Sequence, residues 1–261
     1  MSKSPLWTSE AGNIDKDWAW ALEATQNFDV KLTDVSPETA QLALQGPKAE
    51  QLLQQLTDTK LSEMKYYWFE PECTVAGIPV IISRTGYTGE DGFEIYLRPE
   101  AAPKLWDILL DKGQEFGIMP AGLGCRDTLR FECCMPLYGH ELSAEITPLM
   151  AGMPRFVKLD KQEDFIGKKA LAEQKAAGMK KRLVGIEVIG RGIARAGYPV
   201  LKDGKQIGVV TTGSPAPSLG KNMALAIIDA EFNAIDTDVA VEVRGKPVEA
   251  KVAARPFYKK A

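Results

Sequence analysis

Residues 83–96, SRTGYTGEDGFEIY, constrain the fold of this chain more than any other stretch. Glycines recur at 86, 89 and 92, between an apolar run at 80–82 and the alternating Phe93, Ile95 and Leu97. Runs of this length and alternation read as β-strands, and the glycines as a connection whose backbone can turn through positive φ. Alternation sets Glu94 and Tyr96 on the face opposite Phe93. A strand-to-strand loop is the ordinary reading of the spacing, while the acids and tyrosines within it fit a binding wall. Neither GxxxxGK[ST] nor GxGxxG occurs, so no nucleotide cradle is marked.

Composition narrows the partners. The chain has 261 residues, 45% of them hydrophobic, enough for about two domains with a sizeable core. Its net charge of −3 and the lack of a basic block argue against nucleic acid or an anionic membrane as partner. No apolar run approaches the roughly 18 residues of a spanning helix, residues 1–10 lack a signal peptide's apolar core, and a cytoplasmic location is expected. Cys73, Cys125, Cys133 and Cys134 form neither CxxC nor zinc-type spacing, so reduced and mostly buried thiols are expected. With His140 as the single histidine, no metal site is expected.

Before the central loop, periodicity predicts a helix over 13–26 with Trp18, Ala21, Leu22 and Thr25 at helical spacing, then two short strands around Val30, Leu32 and Leu42, Leu44. A second helix opens at Gly46 and Pro47, and a hairpin turns at Ala76 and Gly77. After the loop, residues 100–116 and 125–133 read as helices. Arg126 and Arg130 share one face of the latter, where a solvated helix face is the ordinary reading. A helix over 168–177 ends at Gly178. Six short β-type runs follow, at 183–189, 198–201, 206–212, 223–228, 238–243 and 248–253, the pattern of a small all-β barrel or sandwich. The fold class is therefore α+β, with a boundary near 180: residues 1–179 and 180–261.

Motifs spread over residues 11–258 carry a resemblance. They are AGNIDKDWAW at 11–20, LALQGPKAE at 42–50, RTGYTGEDGFEIY at 84–96, GLGCRDTLRFE at 122–132, MPLYGHEL at 135–142, DFIGKKAL at 164–171 and GVVTTGSPAPSLGKNMALA at 208–226. With them the chain resembles the aminomethyltransferases, the T-proteins of the glycine cleavage system. The resemblance implies an incomplete folate-binding α+β body and a small carboxy-terminal barrel of Greek-key type. It also implies transfer of a methylene group from the aminomethyl-dihydrolipoyl arm of a lipoyl-carrying H-protein to tetrahydrofolate, with release of ammonia. A folate-binding accessory protein and a tetrahydrofolate-dependent demethylase are the alternatives.

By match to the family's motifs, Glu94 is the carboxylate that would accept two pterin N–H groups, Tyr87 would lie along the folate, and Arg126 would reach its polar groups. Tyr258, in the closing RPFYKK, would approach the same pocket. Tyr87 as a loop anchor and Glu94 as a partner of Arg84 stand as structural alternatives. The family's opening part of roughly a hundred residues has no counterpart here. Its aspartate, in a GGVxDD stretch, is therefore unmatched and the catalytic residue unassigned. Open sheet edges, an uncovered core face and weak activity of the chain alone are expected from this.

Overall fold

The computed structural model describes Thr8 and residues 11–260. Its first half contains α1 (Ile14–Thr25), β1 (Ala40–Gln45), α2 (Ala49–Gln54), β2 (Phe69–Val75), β3 (Ile78–Ser83), β4 (Gly92–Leu97) and α3 (Ala102–Gly113). Next come α4 (Leu123–Glu132) and α5 (Lys168–Ala177). The last third is β5 (Lys181–Val188), β6 (Pro199–Lys202), β7 (Lys205–Ala216), β8 (Lys221–Asp229), β9 (Asp238–Val243) and β10 (Lys246–Ala253). The chain is α+β, and all six β-type runs after residue 180 become barrel strands.

Strands β1 to β4 form an antiparallel sheet in the order β1-β4-β3-β2. The hairpin between β2 and β3 turns at Ala76 and Gly77, both at positive φ, the conformation a two-residue turn needs to match strand twist. One face of the sheet buries Leu44, Val80, Ile82, Phe93, Ile95 and Leu97 against Leu52 and Leu53 of α2 and Leu105 and Leu109 of α3. Alternation leaves Ile81, Glu94 and Tyr96 half-buried on the opposite face, as the sequence indicates. β1 and β2 are the sheet's edges.

One expectation is overturned. Residues 29–35 form no strand, and Val30 is exposed: Val30 and Leu32 alternate, yet none of the described residues pairs with their backbone as a ladder. Helix α1 forms as predicted, but Ala21 is its one buried residue while Trp20 and Leu22 are exposed. A helical repeat specifies a face without supplying the surface that covers it. Tyr66, Tyr67, Trp68 and Phe69 are likewise all exposed.

The six last strands close into a barrel in the order β10-β5-β8-β7-β6-β9, in which β5 lies beside β8 of the consecutive β6, β7 and β8, a Greek-key connection. Val184, Ile186, Val210, Ala224, Ala226 and Ile228 fill the interior. The alternate residues of β8, Met223, Leu225 and Ile227, are also buried, packing outward with Leu183, Phe131 of α4 and Phe257. Burial on both faces explains why β8 is a continuous apolar run.

The central loop is held by a side chain from outside it. Gln45 donates its amide to the carbonyls of Thr85 and Phe93 at 3.1 and 3.3 Å and accepts from the Thr88 hydroxyl at 3.4 Å. A Cβ on Gly86 would lie 1.7 Å from Gln45 Oε1, and one on Gly92 2.5 Å from its Cδ. Those two glycines make room for an amide, and Gly89 is the one at positive φ. Gly86→Ala should therefore cost about 1–3 kcal/mol by expelling the amide from its hydrogen bonds. In a denaturation double-mutant cycle, Gly86→Ala combined with Gln45→Ala should cost clearly less than the sum of the two; additivity would show that they do not act through one contact.

Candidate functional site

Arg84 opens the loop and fixes both of its ends. Its guanidinium donates to Asp91 at 3.0 and 2.6 Å, to Glu50 of α2 at 2.5 Å, and to the carbonyls of Leu61 and Met64 at 2.8 and 3.1 Å. Its backbone N–H donates to Trp68 and its carbonyl accepts from Tyr67. Five donors in a rigid fork are thus spent on two carboxylates and two carbonyls. The predicted alternative of an Arg84–Glu94 pair does not occur. Arg84 takes Asp91 and Glu50 instead, while the Glu94 carboxylate accepts from the Tyr96 hydroxyl at 2.8 Å. Burial and this contact with Glu94 raise the Tyr96 hydroxyl well above its usual range.

Between these fixed ends the loop tip faces α4 and the chain's last residues. The Tyr87 hydroxyl donates to the Pro136 carbonyl at 2.5 Å, and the exposed Arg126 stacks its guanidinium 4.8 Å from the Tyr87 ring centroid. Cation and ring face pair as expected of an aromatic quadrupole. The Cys133 thiol fills the space over Gly89, where a Cβ would come within 2.1 Å of the sulfur. Tyr258 donates its backbone N–H to the Glu132 carbonyl at 2.8 Å and its hydroxyl to Glu90 at 2.9 Å. Of the four residues predicted from the sequence, Tyr87 and Arg126 are in contact and Tyr258 meets the same loop through Glu90. Glu94 stands on the adjoining strand, on the sheet face that carries Tyr96. The Tyr87 hydroxyl bonds to backbone, the contact that the loop-anchor alternative expects. A groove of about 600 Å³ lies beside Tyr96, Ile81 and Val35, not beside Tyr87.

Helix α4 is positioned by a buried ionic network that sequence reasoning missed. Arg130, read as part of a solvated face, is 1% exposed. It pairs with Asp127 at 2.7 Å and with the fully buried Glu141 at 2.9 Å, and donates to Thr212 at 3.2 Å. Glu141 also accepts from the Thr211 and Thr212 hydroxyls at 2.6 and 2.7 Å and from the Leu137 N–H at 3.0 Å. The i, i+4 spacing from Arg126 was the available signal, but spacing cannot say which of two arginines turns inward. His140 lies in the same turn, with Nδ1 2.9 Å from the Thr211 carbonyl, so that nitrogen carries the proton and ties the turn to β7. The contact gives the lone histidine a structural role in that turn.

The thiols depart in part from expectation. Cys73, Cys133 and Cys134 are half-buried, but Cys125, in the first turn of α4, is exposed. Burial pushes the Cys134 thiol up to about 12 and also raises Cys133, so neither is a ready nucleophile.

Two outcomes follow from these ion pairs. Arg130→Met strands the Glu141 carboxylate and should cost roughly 3–5 kcal/mol in urea denaturation, with Arg130→Met/Glu141→Leu recovering a large part of that loss. A loss below about 1 kcal/mol would show the network to be energetically idle. At Asp91, burial raises the carboxyl, but the Arg84 hydrogen bonds and charge, the Gly92 N–H and Lys260 outweigh it, and the net position is below the usual 3.8. A carboxyl depressed by folding stabilises above its unfolded value and loses that contribution as pH falls through the folded one. The stability gap between the native protein and Arg84→Met should therefore be widest near about pH 6 and narrow toward about pH 2.

Comparison with known proteins places this geometry. Residues 2–161 match the GCVT N-terminal domain and residues 181–259 the glycine cleavage T-protein C-terminal barrel domain. The aminomethyltransferase of Anoxybacillus flavithermus is 54% identical over 255 residues, 98% of this chain and 70% of the relative. That of Geobacillus sp. is 54% identical over 256 residues, with the same coverage. The crystal structure of the glycine cleavage system aminomethyltransferase T from Bartonella henselae superposes with a TM-score of 0.82 at 30% identity, covering 96% of this chain and 67% of that one. No helix of the described residues is long and apolar enough to cross a membrane. The loop that Arg84 closes, the helix it faces and the Greek-key barrel behind them belong to one lineage, and the chain is a member of the glycine cleavage T-protein, or aminomethyltransferase, family.

Proposed function

We propose that the wall made by residues 84–96, the first turns of α4 and the closing residues binds tetrahydrofolate, and that the chain transfers a methylene group to it from the aminomethyl-dihydrolipoyl arm of a lipoyl-carrying H-protein, with release of ammonia. The two parts are residues 1–179, taken as the folate-binding body, and 180–261, taken as the barrel, acting in the cytoplasm. The observation that carries this reading is the meeting of an aromatic face and an exposed guanidinium at the tip of a loop whose ends are fixed by Arg84, with Glu94 on the strand that leaves that loop. Tetrahydrofolate would supply the nitrogen that receives the one-carbon unit.

The donor set fits such a ligand. Glu94 spends one contact on Tyr96, leaving acceptor capacity for a fork of two N–H groups, a charge-assisted and orienting interaction. Arg126 is exposed and rests on Tyr87, so its guanidinium keeps donors for a carboxylate or carbonyl of the ligand. Tyr258, held to Glu90, borders the loop from the carboxy-terminal side. These groups bind and orient. No proton-handling acid is assigned among them.

Calorimetry with tetrahydrofolate tests the reading. Glu94→Gln should weaken binding by roughly 10- to 150-fold, the value of a hydrogen bond to a charged group, and Arg126→Ala should weaken it by about tenfold. Unchanged affinity in both variants would refute the wall. Offering the aminomethylated lipoyl carrier and small methylated amines in parallel separates the donors, and turnover of the amines alone would replace the transferase reading with a demethylase.

A further inference from the structure

A second cavity, of about 310 Å³, lies at the end of the barrel where the chain leaves β10. Arg255, Arg182, Asn233, Gly152 and Ala254 are among its walls, which among the described residues hold no carboxylate and none of Tyr87, Glu94, Arg126 and Tyr258. Arg182 shares the alternation of Val184 and Ile186, so it stands at the mouth of the barrel interior.

Arg255 differs from the other arginines set into this molecule. Arg130 has Asp127 and Glu141, and Arg84 has Asp91 and Glu50. Among the described residues neither Arg255 nor Arg182 has an ion pair, although Arg255 is half-buried. Burial lowers the Arg255 guanidinium from its ordinary value, opposed by the Cys134 thiol and by no acid. A guanidinium withdrawn from water without a counter-charge costs stability unless something else supplies the anion. Its placement is also built. Gly152, at positive φ, leaves the space that Arg255 Nη2 occupies, since a Cβ there would lie 2.7 Å from that nitrogen. Two residues on, Phe257 is wedged against Gly185 and Phe131, which fixes the backbone that carries the arginine.

We propose that this rim cavity binds a small oxyanion of the carboxylate or phosphate class, gripped by the Arg255 fork and closed by Arg182 and the Asn233 amide. A guanidinium offers paired parallel donors that match both anions, and a cavity of about 310 Å³ has room for either.

Calorimetric titration of the whole chain at constant ionic strength, with inorganic phosphate in one arm and glutarate in the other, tests this. One arm at least should show saturable one-to-one binding, and the stronger arm names the source. Arg255→Gln should weaken that binding by about tenfold or more, with Arg255→Lys restoring part of it. Should Arg255→Gln not fold, the exposed Arg182→Gln must still weaken binding several-fold. Absence of saturable binding of either anion below about 10 mM, or unchanged affinity in the Arg255→Gln and Arg182→Gln variants, would overturn the proposal. Tetrahydrofolate binding at the loop wall should be unaffected by Arg182→Gln, so the two sites fail or stand separately.

Discussion

The buried pair of Arg130 and Glu141 is the contact on which the arrangement of the rest depends. Two charges taken out of water repay their desolvation only when every remaining donor and acceptor finds a partner. Glu141 meets that condition with Arg130, two threonine hydroxyls and a backbone N–H. Both threonines belong to β7, so satisfying the pair also fixes α4 against the barrel. With α4 fixed, Arg126 one turn earlier and the Pro136 carbonyl just beyond are placed where Tyr87 meets them. The loop is thus held from two sides: Arg84 and Gln45 set its ends, and α4 sets what its tip touches.

Much of the fold was legible because it obeys short periodicities. The six barrel strands follow from six short β runs between turn residues, and the hairpin at Ala76 and Gly77 from its turn chemistry. Glu94 and Tyr96 fall on the predicted face because a strand alternates. What was not legible depends on partners distant in sequence. Gln45 reaches the loop across some forty positions, and Glu141 finds Thr211 and Thr212 across some seventy. Arg130 looked like Arg126 because a helix repeat says that two residues share a face, not that one of them is met by a buried acid. Helix α1 shows the converse: its spacing marked the helix, and spacing says nothing of what covers Trp20 and Leu22.

Site and scaffold are interleaved in this chain. Tyr87 serves the loop by its hydroxyl and carries Arg126 on its ring, the face that the proposed function would offer to a ligand. Tyr258 closes the carboxy-terminal segment onto Glu90 while bordering the same wall. Arg84, which the sequence offered as a partner for Glu94, leaves that carboxylate to Tyr96 by taking Asp91 and Glu50 for itself.

Strand β8 buries both of its faces, Ala224, Ala226 and Ile228 into the barrel interior and Met223, Leu225 and Ile227 toward α4 and Phe257. A strand shared in this way acts as a rivet. For the barrel to swing away from the body as a lid, three large side chains would have to be drawn into water together, at a cost of several kcal/mol. The joint between barrel and body is therefore the costly one to open, and α1 and the aromatic run at 66–69 are the thinly covered parts of the molecule.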